Sequence, residues 1–123
     1  MLVLEGNCIY FDVDDTLVMW PQYSGVVHEK WNAAAIPIAS PFDKKIYFLV
    51  PHERHITLLR KHKKLGKFPI VVWSQGGGAW AEAVVVALGL SDVVDVCMSK
   101  PQVYYDDLFI SDQGWQRKYL EMK

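Results

Sequence analysis

Three short apolar runs constrain this chain more than any other feature, and two of them stop at a polar residue. Cys8-Ile9-Tyr10-Phe11 runs into Asp12 and Ile70-Val71-Val72-Trp73 into Ser74, while Val93-Val94-Asp95-Val96-Cys97-Met98 leads less cleanly to Ser99-Lys100. Nearly continuous β-branched and aromatic runs belong to parallel strands covered by helices on both faces. Helix signals lie between them. After Pro51, His55, Leu58, Leu59 and His62 share one face while Arg54, Lys61, Lys63 and Lys64 point elsewhere. Gly66 closes that segment, with lysines in the last turn where the helix dipole favours cations. Ala79 to Leu88 is apolar almost all round, the mark of a buried helix, and Gly89 is its C-terminal cap. Strand, helix, strand, helix, strand predicts an open α/β sheet. Lys45 to Val50 reads as a further strand, whereas Tyr23 to Ser40 shows little periodicity.

Composition bounds the function. The 123 residues, 51% hydrophobic and 22% charged, suit one globular domain spanning 1–123. Five Trp, six Tyr and five Phe supply core material, so neither a disulfide nor a structural metal is required. A formal net charge of -1 argues against a general nucleic-acid or membrane-surface binder. Cys8 and Cys97 lack the close spacing of a metal or redox pair and read as buried thiols in a reducing compartment. His28, His52, His55 and His62 show no zinc pattern. Met1-Leu2-Val3-Leu4-Glu5 is not a signal peptide, and no apolar run is long enough to span a bilayer. A cytoplasmic location is expected.

In parallel α/β sheets ligands bind beyond the C-terminal strand ends. There the first run continues Asp12-Val13-Asp14-Asp15-Thr16-Leu17, with three carboxylates in four residues. Such a cluster repels itself and makes sense around a divalent cation; an oxygen-rich acidic set with few nitrogen or sulfur ligands favours Mg²⁺. An acidic turn is the plainer alternative.

The run resembles the first motif of the haloacid dehalogenase-like (HAD) superfamily of phosphohydrolases, D-x-D-x-T-L at the end of the first strand. The resemblance extends along nearly the whole chain. Ile70 to Ser74 is similar to the family's second motif, a strand ending in Ser or Thr. Lys100 in Ser99-Lys100-Pro101 stands for the third, and Asp106-Asp107 after Tyr104-Tyr105 for the fourth, an acidic pair following a short strand. The fold so implied is a HAD-like, Rossmann-like three-layer sandwich with a mainly parallel central sheet. Residues 18–50 would form a flap and small insertion, with no full cap domain, leaving the site open.

The resemblance also assigns roles. Asp12 would be the nucleophile, forming an aspartyl-phosphate, and Asp14 the general acid and base. Lys100 would add positive charge. Ser74 and the backbone N–H groups of Gln75 and Gly76 would hold the phosphoryl oxygens, with Gly76-Gly77-Gly78 letting the backbone come close. Mg²⁺ would be held by Asp12, the Asp14 carbonyl and Asp106, with Asp107 in support. Asp14 sorts the reaction, since dehalogenases lack an acid there. Asp15 replaces the commoner Gly.

The spacing strains at one place. Fully extended, Lys100 and Asp106 stand about 20 Å apart, and a parallel crossover needs a dozen or more residues. Residues 95–107 therefore cannot form two adjacent parallel strands joined by a helix. Either Val94 to Met98 is an irregular or antiparallel edge segment, or the chain folds back at Lys100-Pro101. The expected partner is a phosphorylated substrate, a small molecule or a macromolecular phosphate. Arg54, Arg60, Lys61, Lys63, Lys64 and Lys67 could hold a nucleic-acid end, though a solvated helix face is the simpler reading. Trp20, Trp31, Trp80 and Trp115 could line a substrate groove, though partly buried packing is the plainer reading; Trp20 and Trp31 are the better candidates, because flap residues near the first motif overhang the site in the family. Asp112 to Lys123 reads as a short helix. Two other functions stay open: a receiver-like phosphoacceptor, and a phosphate-binding domain without efficient turnover.

Overall fold

Alternation along the apolar runs decides which side of the sheet each residue takes. The computed structural model describes residues 1–20, 33–107 and 120. The elements run β1 (Ile9–Asp12), β2 (Val18–Met19), β3 (Ile36–Ala39), β4 (Ile46–Pro51), α1 (Glu53–Leu65), β5 (Ile70–Ser74), α2 (Gly78–Ala87) and β6 (Val96–Ser99). Strands β1, β5 and β6 make a parallel sheet in that order, with Phe11 opposite Val72 and Val72 opposite Cys97. A second, antiparallel sheet has the order β2, β4, β3.

Ile9, Phe11, Ile70, Val72 and Cys97 share one face of the parallel sheet, and all join one core cluster with Ile56 and Leu59 of α1 and Trp80, Ala81, Val84 and Val85 of α2. Both helices therefore pack on the same face. On the other face stand Tyr10 and Met98, 45% and 37% exposed, together with Val71, which is fully buried. The described residues thus form a small α/β fold with a three-stranded parallel sheet and both helices on one face of it. The reason is topological: strand order advances in one direction from β1, and successive crossovers of one hand put their helices on one face. On that second face Tyr10 and Trp73 pack against each other as a tilted pair, centroids 4.5 Å apart.

The helices end as their residues dictate. His52 caps α1 through Nδ1, which accepts from the His55 N–H, and Gly66 closes it at φ 67°, a left-handed value that glycine adopts without a Cβ clash. Gly78, at the start of α2, lets the helix approach β6 closely: a Cβ there would lie a tight 3.2 Å from the Met98 Cα. At the opposite end of the sheet from Ser74, Asp95 accepts from the Ile70 N–H at 2.8 Å and pairs with Lys63 at 3.2 Å. The backbone hydrogen bond first, and Lys63 second, hold its carboxyl below the usual range.

Strand β6 removes one of the two alternatives for the end of the third run. It pairs parallel with β5, so Val96 to Ser99 is neither irregular nor antiparallel. The chain leaves it at Lys100, whose N–H donates to the Ser74 carbonyl at 2.9 Å, and residues 100–107 form no strand. The short strand expected before Asp106 is absent there, because six residues cannot both return along the sheet and climb it again. No helix among the described residues is long and apolar enough to cross a membrane. Trp31, Trp115, His28 and nearly all of the helix expected over 112–123 lie outside the described residues.

Candidate functional site

Strands β1, β5 and β6 are parallel and in register, so Asp12, Ser74 and Ser99-Lys100 arrive together at one sheet end. Beyond Asp12 the chain turns tightly. The Val13 carbonyl accepts from the N–H groups of Thr16, Leu17 and Val18, and Asp15 sits at φ 60°. That left-handed position explains why Gly is the easier residue there; Asp tolerates it better than most side chains. Val13 and Leu17 are fully buried and anchor the turn, leaving Asp12, Asp14, Asp15 and Thr16 partly exposed.

The Asp12 carboxylate is gripped on both oxygens. Lys100 Nζ meets Oδ1 at 2.9 Å, and the Thr16 hydroxyl donates to Oδ2 at 3.1 Å. Lys100 also stands 5.9 Å over the centre of the Trp73 ring, a cation–π position that steers its stem. Asp14 is held by three donors. Ser74 Oγ donates to its Oδ2 at 3.1 Å, while Trp20 Nε1 and Trp80 Nε1 donate to its Oδ1 at 2.8 and 3.1 Å. Asp15 turns away and accepts from the Trp20 backbone N–H at 3.0 Å. Burial foremost, then the nearby Asp14 and Asp12 charges, push its carboxyl up despite that hydrogen bond.

Ser74 is fully buried and works in two directions, donating to Asp14 while its Oγ accepts from the Gly76 N–H at 3.0 Å. The N–H expected to cradle a phosphoryl oxygen is thus turned onto Ser74 in this state. Gln75 and Gly76 are exposed at the mouth. The Gly78 N–H, at the start of α2, is taken by Ser99 Oγ at 2.9 Å. The three glycines therefore serve packing as well as approach: a Cβ on Gly76 would meet Trp80, and one on Gly77 would meet Phe42 of the β3–β4 hairpin.

Asp12, Asp14, Ser74, Gly76 and Lys100 are brought into one bonded set. Asp106 and Asp107 are not shown in it; they lie exposed in the irregular segment after Pro101. Among the described residues no group of three or more His, Cys, Asp or Glu is placed to hold a metal ion. The oxygen donors of Asp12 and Asp14 nevertheless suit Mg²⁺, which takes one or two carboxylates and fills its shell with water. The basic helix patch is partly structural, with Arg60 bonded to the Gly89 carbonyl and Lys63 to Asp95 at the far end of β5.

Trp80, one of the tryptophans that could line a groove, sits in an apolar helix and is core at 6% exposure, yet its N–H reaches Asp14. The available signal was its N–H, since a buried indole requires an acceptor. His55 stands on the inner face of α1 and is almost fully buried. Its Nδ1 donates to the Thr16 carbonyl at 2.6 Å, and its ring stacks on His52 with centroids 3.4 Å apart, so α1 braces the turn that carries Asp12. Comparisons with family models, with curated proteins and with solved structures gave no match to this chain.

Proposed function

We propose that the chain is a Mg²⁺-dependent phosphomonoester hydrolase working through an aspartyl-phosphate on Asp12, as its resemblance to HAD phosphohydrolases implies. One observation carries the reading: Lys100 Nζ stands 2.9 Å from Asp12 Oδ1 beside a second carboxylate, Asp14, held by Ser74 at 3.1 Å. An ion pair serving stability alone needs no second acid two residues on, nor a buried serine aimed at it.

The chemistry follows from the side chains. Asp12 is a weak nucleophile facing an anionic ester, so alignment and charge neutralisation must supply most of the rate. One Asp12 oxygen attacks phosphorus in line. The bond to the leaving oxygen breaks with its electron pair, and Asp14 gives that oxygen a proton. Water then attacks the same phosphorus, surrendering a proton to Asp14, and the Asp12 carboxylate is released with inorganic phosphate. Lys100 anchors Asp12 before attack and offers its charge to the phosphoryl oxygens; the Ser74 hydroxyl and the N–H groups of Gln75 and Gly76 would hold those oxygens, the Gly76 N–H exchanging its bond to Ser74 for one to the phosphoryl group. Mg²⁺, for which Asp12, the Asp14 carbonyl and Asp106 are the candidate ligands with Asp107 in support, would supply further neutralisation of the phosphoryl charge.

The test is hydrolysis of p-nitrophenyl phosphate with Mg²⁺, with EDTA and Asp12→Asn as controls. Turnover lost in both controls is the expected result. A stable phosphoprotein formed from acetyl phosphate without turnover would instead indicate a phosphoacceptor.

A further inference from the structure

We propose that Trp20 and Trp80 are positioning residues for Asp14: their indole N–H groups hold one carboxylate oxygen so that the other faces the reacting phosphoryl group. The proposal rests on the reading of Asp14 as acid and base. Trp20 Nε1 and Trp80 Nε1 both donate to Oδ1, at 2.8 and 3.1 Å, and Ser74 Oγ donates to Oδ2 at 3.1 Å. An indole N–H donates and never accepts. With two of them on Oδ1, that oxygen is committed to the indoles and Oδ2 is left on the Ser74 side. A carboxyl torsion is otherwise broad and two-fold, offering either oxygen; here a flip would break three hydrogen bonds at once.

Both donors are fixed by packing. Trp80, in the first turn of α2, is 6% exposed. Trp20 follows β2, and its own N–H is bonded to Asp15 Oδ1 at 3.0 Å. The two rings lie 6.2 Å apart, and Tyr47 of β4 packs edge-on against both, at 5.2 and 6.3 Å. Asp14 is therefore the point where the antiparallel sheet, α2 and the end of β5 are tied together. Its aim depends on the antiparallel sheet staying seated on α2.

The test compares Trp20→Phe and Trp80→Phe, each alone and combined with Asp14→Asn, in p-nitrophenyl phosphate hydrolysis, with folding checked by near-UV circular dichroism. Each single variant is expected to lose about 10- to 100-fold in kcat with little change in KM, since misplacing a reacting group by about 1 Å costs up to 10²-fold. On the Asp14→Asn background the same replacements should change kcat less than about 2-fold, because groups acting as a unit are not additive. A merely structural role would give equal losses on both backgrounds, which overturns the proposal. Independently of activity, two of the five indole N–H resonances of the full chain should move when Asp14 is replaced by Ala; unmoved resonances also overturn it. Absence of Asp12-dependent turnover in the unmodified protein overturns the phosphatase reading and this role with it, and that assay alone tells the two failures apart.

Discussion

Replacing Lys100 by Met, Asp12 by Asn, and both together measures how strongly the nucleophile and its cation are coupled. At 2.9 Å two unit charges attract by about 1.4 kcal/mol at the dielectric of water and by about 6 kcal/mol at an effective dielectric of 20. The two side chains are 27% and 33% exposed, so solvent screens the pair and the lysine loses freedom in making it. Exposed pairs retain about 0.2–1 kcal/mol, and partial burial with the Thr16 hydrogen bond puts this one near the top, at about 1 kcal/mol. Lys100→Met should cost more stability than Asp12→Asn, since the first leaves the Asp12 carboxylate without its cation beside two further carboxylates while the second removes one of three repelling charges. Urea unfolding of the four proteins at pH 7 gives the coupling as a double-mutant cycle. In 1 M salt, where the screening length is about 3 Å, it should fall by roughly half or more. A coupling below about 0.3 kcal/mol at low salt would refute the pairing.

Three further outcomes follow from single contacts. Asp14→Asn should leave phosphate binding intact while slowing p-nitrophenyl phosphate turnover by about 10²–10⁴-fold; an unchanged rate contradicts its acid–base role. Gly78→Ala should lower stability by about 1 kcal/mol in thermal unfolding, although Ala is the better helix former, because its Cβ would press on the Met98 backbone at 3.2 Å. Asp95→Asn should cost about 1 kcal/mol at pH 7 through the lost charge on the Ile70 N–H and Lys63. Because the folded-state carboxyl is held low, that difference should be whole above the ordinary Asp value of about 4 and vanish as pH falls through the folded value, read by urea unfolding from pH 7 to 2.

The strands and helices that carry the site could be read because their signals are local. Phe11 to Asp12 and Trp73 to Ser74 mark strand ends by composition, and Gly66 marks the end of α1 by a left-handed φ. Asp12, Asp14, Ser74 and Lys100 meet because register in a parallel sheet is simple. Strands β2 and β3 were not legible. The first is two residues long, and the second contains Pro37, which fits only because β3 is an edge strand. Which face the two helices cover was not legible either, since Tyr10, Trp73 and Met98 look like core in sequence and stand on the face opposite both helices. The indole bonds to Asp14 bring together three elements, and no local pattern encodes such a meeting. Asp106 and Asp107 fell within the expected spacing but not on a strand, because the chain is pinned at Lys100 by Ser74.

The central claim is a covalent phosphoryl bond to Asp12, and beryllofluoride tests it most directly because it mimics a phosphoryl group on a carboxylate. In crystals grown with Mg²⁺ and beryllofluoride, beryllium should be bonded to an Asp12 oxygen, with fluorines facing Lys100, Ser74 and the Gly76 N–H. Beryllofluoride bound elsewhere, or bound equally by Asp12→Asn, would contradict the account.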